Sequence, residues 1–294
     1  MSRTTVISVC TLEHADVWFH TSHLLPEFLQ ADDFVVYVPD AQLDVFTSLT
    51  NGLIQVKPED ELGGPFRAIL TESLDRAKNL KRFGWYYQQF LKIQALLEAN
   101  TEHVVIWDAD AVPLRRQHLF GPGGQPIYAR ANEHHAPYFA AIERLLGMER
   151  IQQQSFIVPG FPLPKLWLEE WVSHVEELHG GKKWFECLID TIDFRLNAGF
   201  SEFETLGTWV SHKHPADFRR VDLNWLRTGQ STLGYAKNTS TGWLLDYGKN
   251  HDLDVVSFES WDFPGLKGRI RKLKMAMDLR LNNSMMLLES PKQT

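Results

Sequence analysis

The sequence predicts a mostly parallel α/β sheet flanked by helices. Short apolar runs rich in β-branched residues alternate with amphipathic stretches, which is the pattern of parallel strands joined by crossover helices. The clearest run, residues 104–107 (VVIW), carries no polar side chain, as expected of a central strand covered on both faces. It ends at Asp108 and Asp110, and the carboxyl ends of such strands are where open α/β sheets bind their ligands.

The individual elements follow from the period of the apolar residues. Strands are predicted where a short apolar run is closed by a turn-forming segment, and helices where apolar residues recur every three or four positions. The clearest helical stripe consists of Tyr86, Phe90, Ile93 and Leu97, directly before the strand at 104–107. The predicted strands are 4–11, 34–38, 53–56, 104–107, 126–130, 155–159 and 255–259, and the predicted helices are 14–29, 65–79, 82–100, 168–178 and 200–210.

The chain of 294 residues is long enough to bury a full core without metals or disulfides. It shows no internal repeat and no low-complexity linker, so we expect one domain over residues 1–265 and a helical extension over 266–294. We expect this extension to pack on the domain as a basic amphipathic helix; its charge also suits peripheral contact with an anionic membrane. Its basic residues are Lys267, Arg269, Arg271, Lys272, Lys274 and Arg280.

Composition argues against several classes of protein. The net charge is −7, so the chain as a whole is not expected to bind nucleic acid. The two cysteines, Cys10 and Cys187, form no C-x-x-C pair, which disfavours zinc ribbons, thioredoxin-like sites and a disulfide framework. No stretch approaches the roughly 20 apolar residues that a bilayer span needs, and the N-terminal apolar run is too short for a signal peptide. We therefore expect a cytoplasmic location.

The Asp pair is the main candidate for chemistry. Alternate side chains of a strand point to the same side, so Asp108 and Asp110 are expected to face one ligand. Two carboxylates this close repel each other unless a cation lies between them, and Mn²⁺ or Mg²⁺ prefers such oxygens and often shares its coordination shell with phosphate. The motif alone is weak, because a second D-x-D at 252–254 lacks the preceding strand. A solvated turn is the alternative.

Two segments carry a resemblance to known proteins. RFGWYYQQFLKIQAL and HVVIWDADAVPLRR are similar to the corresponding segments of nucleotide-sugar glycosyltransferases with the GT-A, Rossmann-like fold. Together with SEFE at 201–204, they also resemble DUF6492, a bacterial family of glycosyltransferase-like proteins. The resemblance covers most of residues 1–260. It implies a GT-A-like fold, a Mn²⁺ or Mg²⁺ cofactor, a nucleotide-sugar donor, with UDP-sugar first, and a saccharide or lipid-linked acceptor in surface polysaccharide biosynthesis.

The same resemblance suggests residues for the donor. Lys92 would reach the donor phosphates, and Asp108 would contact the donor as well as the metal. Thr11 and Asp40 follow the first two strands, where GT-A enzymes hold the nucleoside, although each is also an ordinary strand end. Gln89 would bind the donor or fasten its helix to a neighbouring loop. Alternatively, Lys92 is a solvated surface residue without a role in donor binding.

Glu202 and Glu204 are the candidates for a catalytic base. An inverting transfer needs a carboxylate to take the proton of the acceptor hydroxyl. Residues two apart on a helix do not share a face, so one glutamate is expected to act and the other to be structural. We favour Glu202, in the first turn, with Asp190 and Asp193 as alternates. Acidic residues in a first turn can also serve only the helix dipole.

Further candidates rest on weaker signals. His214, with His212 in SHKHP, or His251 is expected to complete the metal site, although two histidines two apart share a face only on a strand. Arg227 and Trp261 are candidates for sugar or diphosphate contact. Two other classes of protein stay open. A nucleotidyltransferase usually has a Gly-rich basic loop after its first strand, which is absent from TLEHADVW, and a non-catalytic binding protein can share the scaffold.

Overall fold

The structure, a computed structural model, describes residues 2–262. Its strands are β1 (Thr4–Val9), β2 (Asp33–Val38), β3 (Gln55–Pro58), β4 (His103–Trp107), β5 (Ala111–Pro113), β6 (Ile127–Ala129), β7 (Gly160–Pro164), β8 (Arg219–Val221), β9 (Trp225–Leu226) and β10 (Val255–Ser257). Its α-helices are α1 (Ala15–Phe28), α2 (Leu43–Leu49), α3 (Asp60–Arg76), α4 (Phe83–Glu98), α5 (Ala136–Leu146), α6 (Lys165–Leu178), α7 (Trp184–Thr191), α8 (Glu202–Lys213), α9 (Gly229–Leu233) and α10 (Thr241–Asn250).

Five strands form the central sheet, in the order β3-β2-β1-β4-β7. The first four are parallel, and β7 runs antiparallel to β4 at the edge. In register, Val6 of β1 lies between Phe34 of β2 and Val105 of β4. The predicted class, a mostly parallel sheet flanked by helices, is confirmed. Because β1 and β4 are neighbours and parallel, their carboxyl ends open on the same edge.

Alternation along the strands divides the core into two layers. Ile7 and Ile106 point to the face covered by α3, α4, α6, α7 and α8, while Val6 and Val105 point to the face covered by α1 and α2. The strand at 104–107 reads as uniformly apolar because each face of it is buried against helices. This double cover leaves the carboxyl edge of the sheet as the place where polar residues can gather.

Two small sheets extend that edge. In one of them β10 pairs antiparallel with β5 and parallel with β9, in the order β5-β10-β9; the other pairs β6 with β8. Since β5 follows Asp110 directly, this pairing draws the segments after β9 and β10 to the Asp pair. The backbone N–H of Phe258 donates to the carbonyl of Asp110 at 2.9 Å.

Three predicted elements differ in position from the structure. Residues 155–159 form no strand beyond a single bridge of Ser155 to Ala131, and the edge strand is instead β7, whose Pro162 and Pro164 hid it from a propensity argument. The helix predicted at 65–79 begins at Asp60 instead, and Pro65 and the glycines before it lie inside α3. The third strand is β3 at 55–58 rather than 53–56.

The predicted extension, residues 266–294, and the boundary after residue 265 lie outside the described residues. Between residues 2 and 262, no helix combines the length and the apolar character that crossing a bilayer requires.

The contact between α3 and α4 generates a stability prediction from two adjacent glycines. A Cβ on Gly63 would lie 1.7 Å from the hydroxyl oxygen of Tyr87, whereas a Cβ on Gly64 meets nothing within 4 Å. Tyr87 is buried and stacked on Phe83, so it cannot swing aside. Gly63→Ala should lower the free energy of unfolding by ~1–3 kcal/mol. Gly64→Ala should raise it by up to about 1 kcal/mol.

Urea denaturation of both variants measures the difference. Gly64→Ala is the matched control, because it makes the same chemical change one position along the same helix. Equal stability of the two variants would mean that α3 and α4 are not packed as closely as the structure shows.

Candidate active site

A cleft of about 470 Å³ opens at the carboxyl edge of β1 and β4. Its floor is formed by the strand ends and by α4, and its sides by the start of α8 and by the segments after β9 and β10. The polar and aromatic lining residues are His14, Arg82, Trp85, Gln88, Gln89, Lys92, Asp108, Asp110, Glu133, Tyr138, Ser201, Glu202, Phe203, Trp225, Arg227, Ser257, Glu259, Ser260 and Trp261.

Lys92 lies at the centre of this cleft and connects three elements. Its ammonium donates to Oδ1 of Asp108 at 2.7 Å and to Oε1 of Glu202 at 2.8 Å, so that α4, the end of β4 and α8 meet at one charge. The side chains of Lys92 and Glu202 are 7% and 5% exposed. Burial alone would lower the pKa of Lys92, but the two carboxylates outweigh it and raise that pKa above its usual value. Lys92 is therefore a buried cation, unlike the solvated lysine of the alternative interpretation.

The ionised form of Asp110 is disfavoured in the cleft. Burial, with the neighbouring Asp108 adding to it, raises the pKa of Asp110 from 3.8 to about 7, against the opposing pull of Lys92 and Arg227. The charges of the described lining residues add to this effect of burial, because five carboxylates stand against three permanent cations, an excess of two negative charges when all are ionised. The carboxylates are Asp108, Asp110, Glu133, Glu202 and Glu259, and the cations are Arg82, Lys92 and Arg227.

The two glutamates of α8 face different ways. Glu202 lines the cleft, and its backbone N–H donates to Oε1 of Gln89 at 3.2 Å. Glu204 turns away from the cleft, where it accepts hydrogen bonds from the Ser155 hydroxyl and, at 3.4 Å, from the N–H of Phe156. Burial raises the pKa of Glu204. Of the two proposed bases, the structure brings only Glu202 to the Asp pair.

Gln89 works as a link between helices. Its amide nitrogen donates to the carbonyl of Trp85 at 3.1 Å, while its amide oxygen receives the N–H of Glu202. The side chain thereby fixes the first turn of α8 against α4, although it also lines the cleft. These contacts correspond to the structural role considered for Gln89, in which it fastens its helix to a neighbouring segment, and not to donor binding.

The predicted nucleoside contacts lie outside the lining of the cleft. Thr11 is exposed just after β1, and Asp40 accepts the N–H of Asp60 at 3.4 Å, at the beginning of α3. Val9 and His14 take the corresponding place on the cleft wall after β1. Burial lowers the pKa of His14, which therefore adds no positive charge at neutral pH.

The two candidate histidines are not brought to the Asp pair. His214 ends α8 at the opposite end from Glu202, where it stacks on Trp167 at 4.0 Å and bonds Glu170 at 2.9 Å. His251 follows α10 and stacks on Tyr247. Among residues 2–262, no group of three or more His, Cys, Asp or Glu side chains is arranged to hold a metal ion. Histidines at 212 and 214 sit at a helix end, where the two-residue spacing does not align them.

Sequence reasoning missed most of one wall of the cleft. Arg227 pairs with Glu259 at 2.6 Å and with Glu133 at 3.0 Å, and it lies against the rings of Trp225 and Trp261. A signal was present for Glu259, an acidic residue at the end of a short apolar run in FESWD, similar to the Asp pair. Glu133 stands in a loop without a recognisable pattern. We call these five residues the Arg227 wall.

The chain belongs to DUF6492, a family of unknown function whose model matches residues 9–214. That range contains Lys92, Asp108, Asp110 and Glu202, and it ends before Arg227. No curated protein matches the chain. Among solved structures, the crystal structure of mouse xyloside xylosyltransferase 1, apo form, is similar to it, with a TM-score of 0.45 and 14% identity over 88% of this chain and 99% of that chain.

The raised pKa of Asp110 predicts a pH-dependent stability. The folded protein binds this proton more tightly than the unfolded chain does, so the contribution of Asp110 to stability falls as the pH rises from 3.8 to about 7. Asp110→Asn removes the charge and should stabilise the metal-free protein at pH 8 by on the order of 3 kcal/mol, with a much smaller gain at pH 4.

Denaturant titrations at both pH values, in the presence of a chelator, test this expectation. Asp252→Asn is the matched control, because Asp252 belongs to the second D-x-D and its side chain is 76% exposed. A gain for Asp110→Asn that does not grow with pH would contradict the electrostatic account of the cleft.

Proposed function

We propose that this protein is a metal-dependent glycosyltransferase that moves a sugar from a nucleotide-diphosphate donor to an acceptor hydroxyl. The observation that carries the proposal is the meeting of Asp108, Asp110, Lys92 and Glu202 in one cleft at the carboxyl ends of β1 and β4. UDP-sugar is the proposed donor, by the resemblance of the D-A-D strand end to GT-A enzymes. The proposed acceptor is a saccharide or lipid-linked glycan.

The donor set of the cleft fits a hard divalent cation. Asp108 and Asp110 present carboxylate oxygens, and the excess of two negative charges among the described lining residues is what one Mn²⁺ or Mg²⁺ would balance. Asp108 and Asp110 would hold this ion. Bound there, it would supply positive charge to the diphosphate that leaves the sugar. Since the described side chains offer two carboxylates and no third ligand of these types, donor phosphates and water are expected to fill the remaining positions.

The protein residues then supply proton transfer and positioning. As the acceptor oxygen bonds to the anomeric carbon, the bond from that carbon to the phosphate oxygen breaks and its electron pair leaves with the diphosphate. The acceptor hydroxyl passes its proton to Glu202, whose Oε1 is held by Lys92 and whose Oε2 is left to receive it. The ammonium of Lys92 bonds both Asp108 and Glu202, so it fixes the proposed base relative to the proposed metal site.

Nucleotide binding is the first prediction of this proposal. UDP with Mn²⁺ should raise the thermal midpoint, because a ligand at 100 times its Kd stabilises the folded state by about 2.7 kcal/mol. Asp108→Asn and Asp110→Asn should lose the rise, whereas Asp252→Asn should keep it. The measurement is a thermal melt with a panel of nucleoside diphosphates, with and without Mn²⁺ or Mg²⁺. If no nucleotide shifts the midpoint with either metal, the transferase proposal fails.

The second prediction separates the two glutamates. Glu202→Gln should lower kcat by roughly 10²–10⁴, because the proton acceptor is lost. The variant also loses the ion pair with Lys92 and should be less stable, but UDP should still raise its thermal midpoint, since Asp108 and Asp110 are unchanged. Glu204→Gln should act mainly on stability, since Glu204 lies outside the cleft and bonds Ser155. Transfer assays and melts of both variants provide the comparison. An unchanged kcat in Glu202→Gln would show that Glu202 is not the catalytic base.

A further inference from the structure

We propose that the Arg227 wall is the acceptor subsite and that it binds a pyranose ring of a neutral saccharide. The wall consists of Glu133, Trp225, Arg227, Glu259 and Trp261, all of which line the same cleft as Asp110. The inference rests on the proposed transferase function, because it assigns the second substrate of that reaction.

The charges of the wall disfavour phosphate and suit hydroxyl groups. Two carboxylates meet one guanidinium, which leaves the wall negative when all three are ionised. Arg227 is already engaged on both sides, through Nε to Glu259 at 2.6 Å and through Nη1 to Glu133 at 3.0 Å. Its donors are therefore largely used by the two carboxylates. The carboxylate oxygens also accept from Arg227 or Trp261, but each oxygen has a second lone pair that can accept a sugar hydroxyl. A neutral polyhydroxylated ligand fits this arrangement better than the nucleotide does.

The aromatic faces of the wall suit a sugar ring. The guanidinium of Arg227 lies 4.9 Å from the ring centre of Trp225 and 5.7 Å from that of Trp261. Arg227 covers part of each ring, but both indoles are only half-buried, so each keeps apolar surface at the cleft. A pyranose has the complementary form, with C–H groups on its faces and hydroxyls around its rim. Aromatic faces next to carboxylates can therefore hold both parts of the ring.

The wall is anchored before any ligand arrives. Trp225 donates through Nε1 to the Ser257 hydroxyl at 2.8 Å, and Trp261 donates through Nε1 to Glu259. The buried Asp262 accepts the N–H of Ser231 at 3.0 Å, which fixes the chain just after Trp261 to α9. A preorganised wall loses little conformational entropy when the ligand binds. This is the behaviour expected of a substrate subsite rather than of a flexible surface loop.

The position of the wall agrees with the direction of the reaction. The N–H of Phe258, the residue before Glu259, donates to the carbonyl of Asp110 at 2.9 Å, so this wall and the proposed metal pair border the same cleft. Tyr138 lines the same cleft as Glu202 and this wall, and its phenol can donate a hydrogen bond to a ligand there. A saccharide on the wall would thus present a hydroxyl between base and donor.

Saturation-transfer NMR on the full chain tests the proposal directly. The probes are the methyl β-pyranosides of glucose, galactose, mannose and xylose at tens of millimolar, each with and without UDP and Mn²⁺. At least one probe should show saturated ring protons with the wild-type protein and with Trp261→Phe, which keeps an aromatic face. The signal should fall at least fivefold in Trp261→Ala. Trp243→Ala is the matched control, because Trp243 lies on α10, 44% exposed and outside the cleft; it should keep the signal.

The outcomes separate this proposal from the transferase proposal. No saturation of any of the four probes, or equal saturation in Trp261→Ala and wild type, would overturn the acceptor subsite even if UDP binds. Saturation that is lost in Trp261→Ala, in a protein that binds no nucleotide, would leave the saccharide site standing and defeat the transferase proposal. Trp261→Phe is the control for misfolding. Saturation in this variant, together with its loss in Trp261→Ala, would show that the aromatic ring binds the saccharide and that the loss is not caused by misfolding.

Discussion

The ammonium of Lys92, held between Asp108 and Glu202, connects the parts of the cleft. A buried charge is tolerable only when partners satisfy it, so the positions of α4, β4 and α8 depend on one another. Gln89, one turn earlier on α4, connects the same two helices, because its side-chain amide oxygen accepts the backbone N–H of Glu202. Because of these two contacts, a helix, a strand end and another helix that are distant in sequence present their polar groups to a single cleft.

The charged groups of the cleft destabilise the folded protein. Within the described residues it concentrates more negative than positive charge, and the raised pKa of Asp110 is the clearest sign of this imbalance. The surrounding core is apolar and closely packed, with Trp107 directly against Gly160 at the edge strand β7. The fold thus supports an unfavourable group of carboxylates with favourable packing beneath it, which is common at functional sites.

Much of this arrangement could be predicted from local patterns, and the rest depends on contacts between distant segments. The apolar run at 104–107 was enough to predict a central strand with Asp108 and Asp110 at its carboxyl end. The different faces of Glu202 and Glu204 follow from helix geometry alone. The assembly of the Arg227 wall could not be predicted in this way: Glu259 follows an apolar run and Arg227 and Trp261 were candidates one by one, but Glu133 stands in a loop without a pattern, and only contacts between distant segments bring these residues together. The proposed histidine ligands at 214 and 251 illustrate the converse, because a motif without its structural context indicates little.

The pairing of β10 with β5 has a consequence for how the protein is divided. The hydrogen bond from Phe258 to Asp110 makes the last strand of the described chain a neighbour of the central Asp pair. The range of the family match, residues 9–214, includes the pair but excludes β9 and β10, and it removes most of the central strand β1. A fragment cut at those limits would therefore expose both the edge of β5 and one side of β4. The folded unit of this molecule is therefore larger than the segment that matches the family model.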